Sequence, residues 1–343
     1  MTNKHLIDLI RDYSLLSIIG MDKNVGKTTV LNYIINNLGE DKLPLGLTSI
    51  GRDGEDVDLV TNTPKPRIYV PCGSLIATAR QCLSYGDITR EILLTTGIHT
   101  SMGEIIILRA LSDGYVDLGG PSLNSQMNEV CLRLKALGSS LTIVDGALSR
   151  KTFASPTITE ATILSTGASL DKNMNKVVDK TIFGAELLSL QRVEDENIIN
   201  LCKSFDSSHR VTLVYKNKEF KHLGVSTSLN ASKEIIDNFD LSISYIYIKG
   251  VVSDILLNDL IKECNVKNLT IIADDGTKLF IKRETLNKLI LKGGALRVLE
   301  PITLLCITCN PKSPYGYQFN GKEFIKALKE NTSLPVFDVL GGD

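Results

Sequence analysis

Hydrophobic and polar positions change period several times along this chain. Over residues 3–13, Leu6, Ile7, Leu9 and Ile10 are interleaved with charges, which predicts a short amphipathic helix. An apolar run follows, Leu15-Leu16-Ser17-Ile18-Ile19, ending at Gly20, the profile of a buried strand. Residues 28–38 return to helical spacing through Val30, Leu31, Ile34, Ile35 and Leu38 and stop at Gly39. Further strand-like runs lie at 45–50, 115–118, 141–144 and 161–164, with helical patterns at 73–83, 103–111 and 125–137 between them. Alternation of this kind predicts an α/β fold: a mostly parallel, doubly wound sheet covered by helices on both faces.

The texture changes after residue 170. Residues 171–180 are polar, and 192–200 form a charged helical stretch. Strands are expected at 211–215, 244–249, 269–273, 303–308 and 336–339, and helices at 255–263 and 322–330. The chain therefore divides into a core over 1–170, a second α/β region or insertion over 171–300, and a C-terminal segment over 301–343.

Composition excludes several classes. With 343 residues, 43% hydrophobic and 22% charged, a packed core is expected and wholesale disorder is not. Lys plus Arg (38) nearly cancel Asp plus Glu (39), so no global basic field exists for holding nucleic acid. No apolar run approaches a bilayer span, and the N-terminus lacks a signal-peptide core. The seven cysteines are scattered and odd in number, a pattern suited to a reducing compartment. The expectation is a cytoplasmic protein without membrane or nucleic-acid partners.

Chemistry concentrates in Gly20-Met21-Asp22-Lys23-Asn24-Val25-Gly26-Lys27-Thr28-Thr29, between a predicted strand and a predicted helix. Glycines let successive backbone N–H groups converge on phosphate oxygens, and the following helix adds its positive end. Lys27 is the expected catalytic contact to the β- and γ-phosphates, and the Thr28 hydroxyl the expected Mg²⁺ ligand. Gly20, Asp22, Lys23, Asn24, Val25, Gly26 and Thr29 complete the expected binding set for a nucleoside triphosphate, ATP with Mg²⁺. The first glycine stands six positions before Gly26, with Met21 where Gly is usual. This Gly-x-Asp-x-x-x-Gly-Lys-Thr spacing, matched by Gly20, Asp22, Gly26, Lys27 and Thr28, resembles dethiobiotin synthetase and related SIMIBI-class P-loop proteins. Lys23 does not occupy the place of the signature lysine of partition-type relatives, which argues against an intersubunit lysine mechanism.

Asp145 ends the apolar run 141–144 and precedes Gly146. An acid at a strand's C-terminal end beside such a loop is placed to hold Mg²⁺ or its waters, although Asp-Gly is also a common turn. It matches the acid of the Glu-Gly-Ala segment of dethiobiotin synthetase and is taken as catalytic and metal-binding. The same resemblance selects Asp53 as a second metal contact, while Gly51-Arg52-Asp53-Gly54-Glu55-Asp56 reads equally as a solvated loop. It also makes Asn310 a base-reading residue, with a helix and the run Pro335-Val336-Phe337-Asp338 following in the family's order. Asn310-Pro311 is equally a plain turn. The absence of an Asn-Lys-x-Asp motif favours ATP over GTP. Cys306 and Cys309, three apart in a strand, point to opposite faces and read as core. Gly119-Gly120-Pro121-Ser122-Leu123-Asn124-Ser125-Gln126 is either a second anion or partner surface or a helix cap.

Longer phrases carry a closer resemblance. Pro71-Cys72-Gly73-Ser74, Thr96-Gly97-Ile98-His99-Thr100, the Gly119-Gly120 segment, Val144-Asp145-Gly146-Ala147-Leu148-Ser149-Arg150-Lys151 and Thr162-Ile163-Leu164-Ser165-Thr166-Gly167-Ala168 together resemble the P-loop subunit of the reactivase for adenosylcobalamin-dependent lysine 5,6-aminomutase. The resemblance implies an ATPase that expels damaged cofactor, a MutS-like ATPase partner subunit and the aminomutase as client. A homodimer is a further expectation. Two other readings stand beside it: an ATP-dependent ligase like dethiobiotin synthetase, and a nucleotide-binding regulator that hydrolyses nothing.

Overall fold

The computed structural model describes residues 6–39, 44–50, 67–146, 154–156 and 158–339. It is an α/β protein with a large mixed, mostly parallel sheet. The chain forms two compact units, one from residues 1–185 and 303–343, the other from 186–302.

In the first unit, α1 (Leu6–Ile10) leads to β1 (Leu15–Gly20), α2 (Lys27–Asn37) and β2 (Leu45–Ser49). The strands β3 (Ile68–Val70), β4 (Leu75–Ala79), β5 (Arg90–Thr100), β6 (Gly103–Ala110) and β7 (Gly114–Val116) follow, with no α-helix from β3 to β7. Then come α3 (Asn124–Ala136), β8 (Leu141–Asp145), β9 (Ala161–Gly167) and α4 (Met174–Leu188).

The second unit carries α5 (Glu196–Ser204), β10 (Val211–Tyr215), β11 (Phe220–His222), α6 (Ser232–Asp237), β12 (Ile243–Ile248), β13 (Val252–Ser253), α7 (Asp254–Glu263), β14 (Thr270–Ala273), β15 (Leu279–Phe280), α8 (Arg283–Leu291) and β16 (Ala295–Val298). Its five-stranded sheet runs β11-β10-β12-β14-β16, with β12, β14 and β16 parallel and β10 antiparallel to its neighbours. The chain then re-enters the first unit as β17 (Leu304–Asn310), α9 (Gly321–Lys329) and β18 (Val336–Phe337).

The nine-stranded sheet has the order β18-β17-β9-β1-β8-β2-β4-β6-β5. Seven strands are parallel; β6 and β5 close the sheet as an antiparallel hairpin. Burial on both faces explains why its central strands are continuously apolar. Leu16, Ile18, Leu47, Ile143 and Ile163 pack against Val30, Leu31 and Ile34 of α2 and Leu6 and Ile10 of α1. On the opposite face, Val130 and Leu134 of α3 meet Leu75, Ala77, Ile105 and Ile107. Among the described residues no helix is long and apolar enough to cross a membrane.

The structure corrects the sequence reading in several places. The helical pattern at 73–83 is strand β4 followed by a 3-10 turn, Arg80–Tyr85. Leu75, Ile76, Ala79 and Cys82 mimic helical spacing, but all of β4 is buried on both faces, where strand periodicity vanishes. The pattern at 103–111 is strand β6, consistent with the β-branched run Ile105-Ile106-Ile107. The strand expected at 115–118 is Gly114–Val116, and Leu118 is buried beyond its end. The two units divide within α4, which runs over Met174–Leu188.

Candidate functional site

The loop between β1 and α2 has a tightly specified path. Gly20 leaves no room for a side chain: an added Cβ would stand 2.7 Å from Val25 Cγ2 and 2.9 Å from Lys27 Nζ. Val25 is buried and anchors the loop from beneath. Asn24 (φ 58°) and Gly26 (φ 92°) both adopt left-handed backbone, the conformation that occurs in anion-binding nests of backbone N–H groups. Gly26 is also the N-cap of α2 and supplies no side-chain cap, so the helix presents its first N–H groups at the loop's mouth.

Lys27 opens α2 and folds back so that Nζ donates to the Asp22 carbonyl at 3.2 Å. Burial lowers its pKa, opposed by the charges of Asp145 and Asp22. The ammonium is therefore poorly solvated and stands within electrostatic reach of both acids. The Asp22 carboxylate accepts the Lys23 N–H at 2.6 Å and tightens the turn. Thr28 and Thr29 are half-buried on the helix's first turn.

Asp145 ends β8, in register with Ile18 of β1 and Ser49 of β2. Its carbonyl accepts the Ile50 N–H at 3.1 Å, and Gly146 N–H donates to the Ile18 carbonyl at 2.8 Å, which fixes the strand end beside the loop. Gly20, Asp22, Lys27 and Asp145 thus come together at one end of the parallel strands. Asp53 lies outside the described residues. Among those residues, no group of three or more His, Cys, Asp or Glu is placed to hold a metal ion. The hydroxyl of Thr28 and the carboxylate of Asp145 nevertheless fit magnesium, a hard cation that takes one or two protein oxygens and keeps phosphate oxygens and waters as its other ligands.

Asn310, at the end of β17, reaches the same loop from a sequence separation of 286 residues. Its Nδ2 donates to the Asn24 carbonyl at 3.3 Å, and its Oδ1 accepts the Lys312 N–H at 3.0 Å. Three supports escaped the sequence reading. Ser169 Oγ donates to the Lys23 carbonyl at 2.8 Å, Tyr317 OH donates to the Ala168 carbonyl at 2.6 Å, and Asp338 lines a cleft beside Asn310. No local signal marked them, because Ser169 is placed by the pairing of β9 with β1, and Tyr317 and Asp338 by the return of the chain after the second unit. A wider cavity of about 670 Å³ opens beside Asn32, Asn36, Arg67, Tyr69 and Tyr115, with none of the loop residues in its lining. The segment at Gly120 packs so closely that an added Cβ would fall 1.7 Å from the Ser49 carbonyl oxygen, which gives this glycine a packing role. No protein-family model, curated protein or solved structure matches this chain.

Proposed function

We propose that the chain is a cytoplasmic P-loop protein of the SIMIBI type that binds Mg²⁺-ATP at residues 20–29 and hydrolyses it. The observation that carries this reading is the loop itself: a buried strand, a turn with two left-handed residues, an uncapped helix start, and Lys27 folded back between Asp22 and Asp145. In it, the backbone N–H groups and Lys27 hold phosphate oxygens. Exchanging the Asp22 carbonyl for a phosphate gives the poorly solvated ammonium a charged partner. Thr28 and Asp145 hold the metal, which when bound neutralises phosphate charge. Asn310 braces the Asn24 peptide beneath them.

The use of the nucleotide is assigned by the phrases resembling the aminomutase reactivase. In this reading the chain works with a MutS-like ATPase subunit, as a single copy or a homodimer, and remodels a cobalamin aminomutase client. Nucleotide supplies differential affinity for two conformations, which lets the client open and exchange damaged cofactor. Isothermal calorimetry on Lys27→Ala tests the binding step: ATP affinity is expected to vanish, and an unchanged affinity would refute it. Recovery of inactivated aminomutase by both subunits with ATP and fresh cofactor tests the client, and no recovery would remove it.

A further inference from the structure

The cavity of about 670 Å³ beside α2 is of a size that takes a small molecule, and it stands apart from the phosphate loop. Its lining residues Asn32 and Asn36 lie about 8 and 14 Å along the helix from Lys27, at 1.5 Å of rise per residue. The rest of the described wall comes from the β3–β7 ladder and the residue before it. Ile68, Val70 and Val116 of that ladder are buried, so alternation turns Tyr69 and Tyr115, which pair directly across it, to the outer side. Their rings meet edge to face, with centroids 5.5 Å apart and planes at 75°.

Hydrogen bonds brace this wall before any ligand arrives. Asn32 Nδ2 donates to the Arg67 carbonyl at 3.0 Å and its Oδ1 accepts the Tyr69 N–H at 3.3 Å, which ties β3 to α2. Tyr69 OH donates to Asp113 Oδ2 at 3.3 Å. The Arg67 guanidinium lies over the Tyr115 ring, Cζ 4.6 Å from its centroid, and its Nη2 donates to the Tyr85 carbonyl at 3.2 Å and to Asp87 Oδ2 at 3.4 Å. Asp87 Oδ1 in turn accepts the Tyr115 N–H at 2.5 Å. These bonds leave Arg67 Nε and Nη1, the Asn36 amide and the Tyr115 hydroxyl without a partner among the described residues.

We infer that this cavity is a binding site for a small organic monoanion, a carboxylate carried on a flat apolar body. Arg67 is the only charged side chain among the described residues of the lining, and its unengaged N–H groups suit a carboxylate oxygen. The Asn36 amide adds a neutral donor, and the tyrosine rings take the apolar body. One guanidinium, partly balanced by Asp87, matches a single negative charge better than a polyphosphate, which calls for several N–H groups or cations. A cationic ligand would find the Tyr115 face already held by Arg67.

The test is saturation-transfer NMR on the full chain with benzoate and benzamide as probes, and with inorganic phosphate and ATP as competitors. Benzoate is expected to bind saturably, and benzamide, its uncharged analogue, at least about tenfold more weakly. Phosphate is expected to displace benzoate only at concentrations about tenfold higher, and ATP not to displace it. Arg67→Lys keeps the charge but loses the planar fork and its stacking, and should weaken benzoate about tenfold. Asn36→Ala alters an exposed helix position outside the bracing bonds and should weaken it about threefold, with circular dichroism as the folding control for both. No saturable benzoate binding, equal affinity for benzamide, displacement by ATP, displacement by phosphate at equal concentration, or an affinity unchanged in both variants would overturn the inference.

Discussion

Beneath the loop, Ser165 Oγ and Thr308 Oγ1 lie 2.8 Å apart on the neighbouring strands β9 and β17. They are 0% and 2% exposed. Thr308→Val preserves shape but leaves the Ser165 hydroxyl buried without this partner, at a cost of about 1–3 kcal/mol. Ser165→Ala does the same to Thr308, with a similar cost. The double variant removes both polar groups, so its loss is expected to be smaller than the sum of the singles, with a coupling of about 1–2 kcal/mol. In a unit of this size, each kcal/mol moves Tm by roughly 2–4 °C. The chain contains no Trp, so urea unfolding is best followed by far-ultraviolet circular dichroism, fitted with separate transitions for the two units. A double variant that loses the full sum of the singles, or more, would refute the argument that the pair is held by mutual satisfaction.

Gly26→Ala forces a side chain onto a left-handed residue and brings Cβ to 3.3 Å from Asn310 Cβ; about 1–2 kcal/mol of stability and roughly tenfold in nucleotide affinity should be lost. Thermal melts and calorimetry check both. Glu160 accepts hydrogen bonds from Ser14 N–H, Ser14 Oγ and Leu15 N–H. Burial would raise its pKa, but these bonds, with help from Lys135, bring the net shift downward. Its contribution is therefore present above the unfolded value of about 4.3 and is lost as pH falls through the lower folded value. Glu160→Gln should cost less than about 1 kcal/mol at pH 7, after allowance for exposure, and flatten the acid limb in urea midpoints taken from pH 7 to 3. An unaltered acid limb would contradict this. Of the seven cysteines only Cys72 is exposed, while burial pushes Cys131, Cys202 and Cys309 up to about 12. A thiol-exchange reagent should therefore find one fast thiol, absent in Cys72→Ser, and a second fast thiol would count against the packing described.

The parts of the fold that were readable in the sequence are those where one face or one turn decides. β1, its loop and α2 carry a strand run, two glycines and clean helical spacing within 24 residues of one another. Asp145 was readable because an apolar run ends on it. The β5–β6 hairpin was not. β5 lies at the sheet edge with an exposed face, its register with β6 shifts twice, and Gly97 interrupts it with a positive φ. Asp338 was visible only as part of a strand run, since its position level with Cys309 follows from the β17–β18 register. The amide of Asn310 bracing the loop carbonyl was likewise a tertiary fact.

The return of residues 303–339 to the first unit has a consequence for synthesis. The loop emerges from the ribosome early, but the strand bearing Asn310 follows 286 residues later, roughly 15–60 s at ordinary elongation rates. Until then β9, buried at all seven of its positions in the finished sheet, has an unpaired edge. The intervening unit has its own sheet and core with which to fold during the wait. A nascent chain stalled before residue 303 would thus carry the loop, a sticky strand edge and no far wall for the cleft, making it a natural client for chaperones until β17 docks.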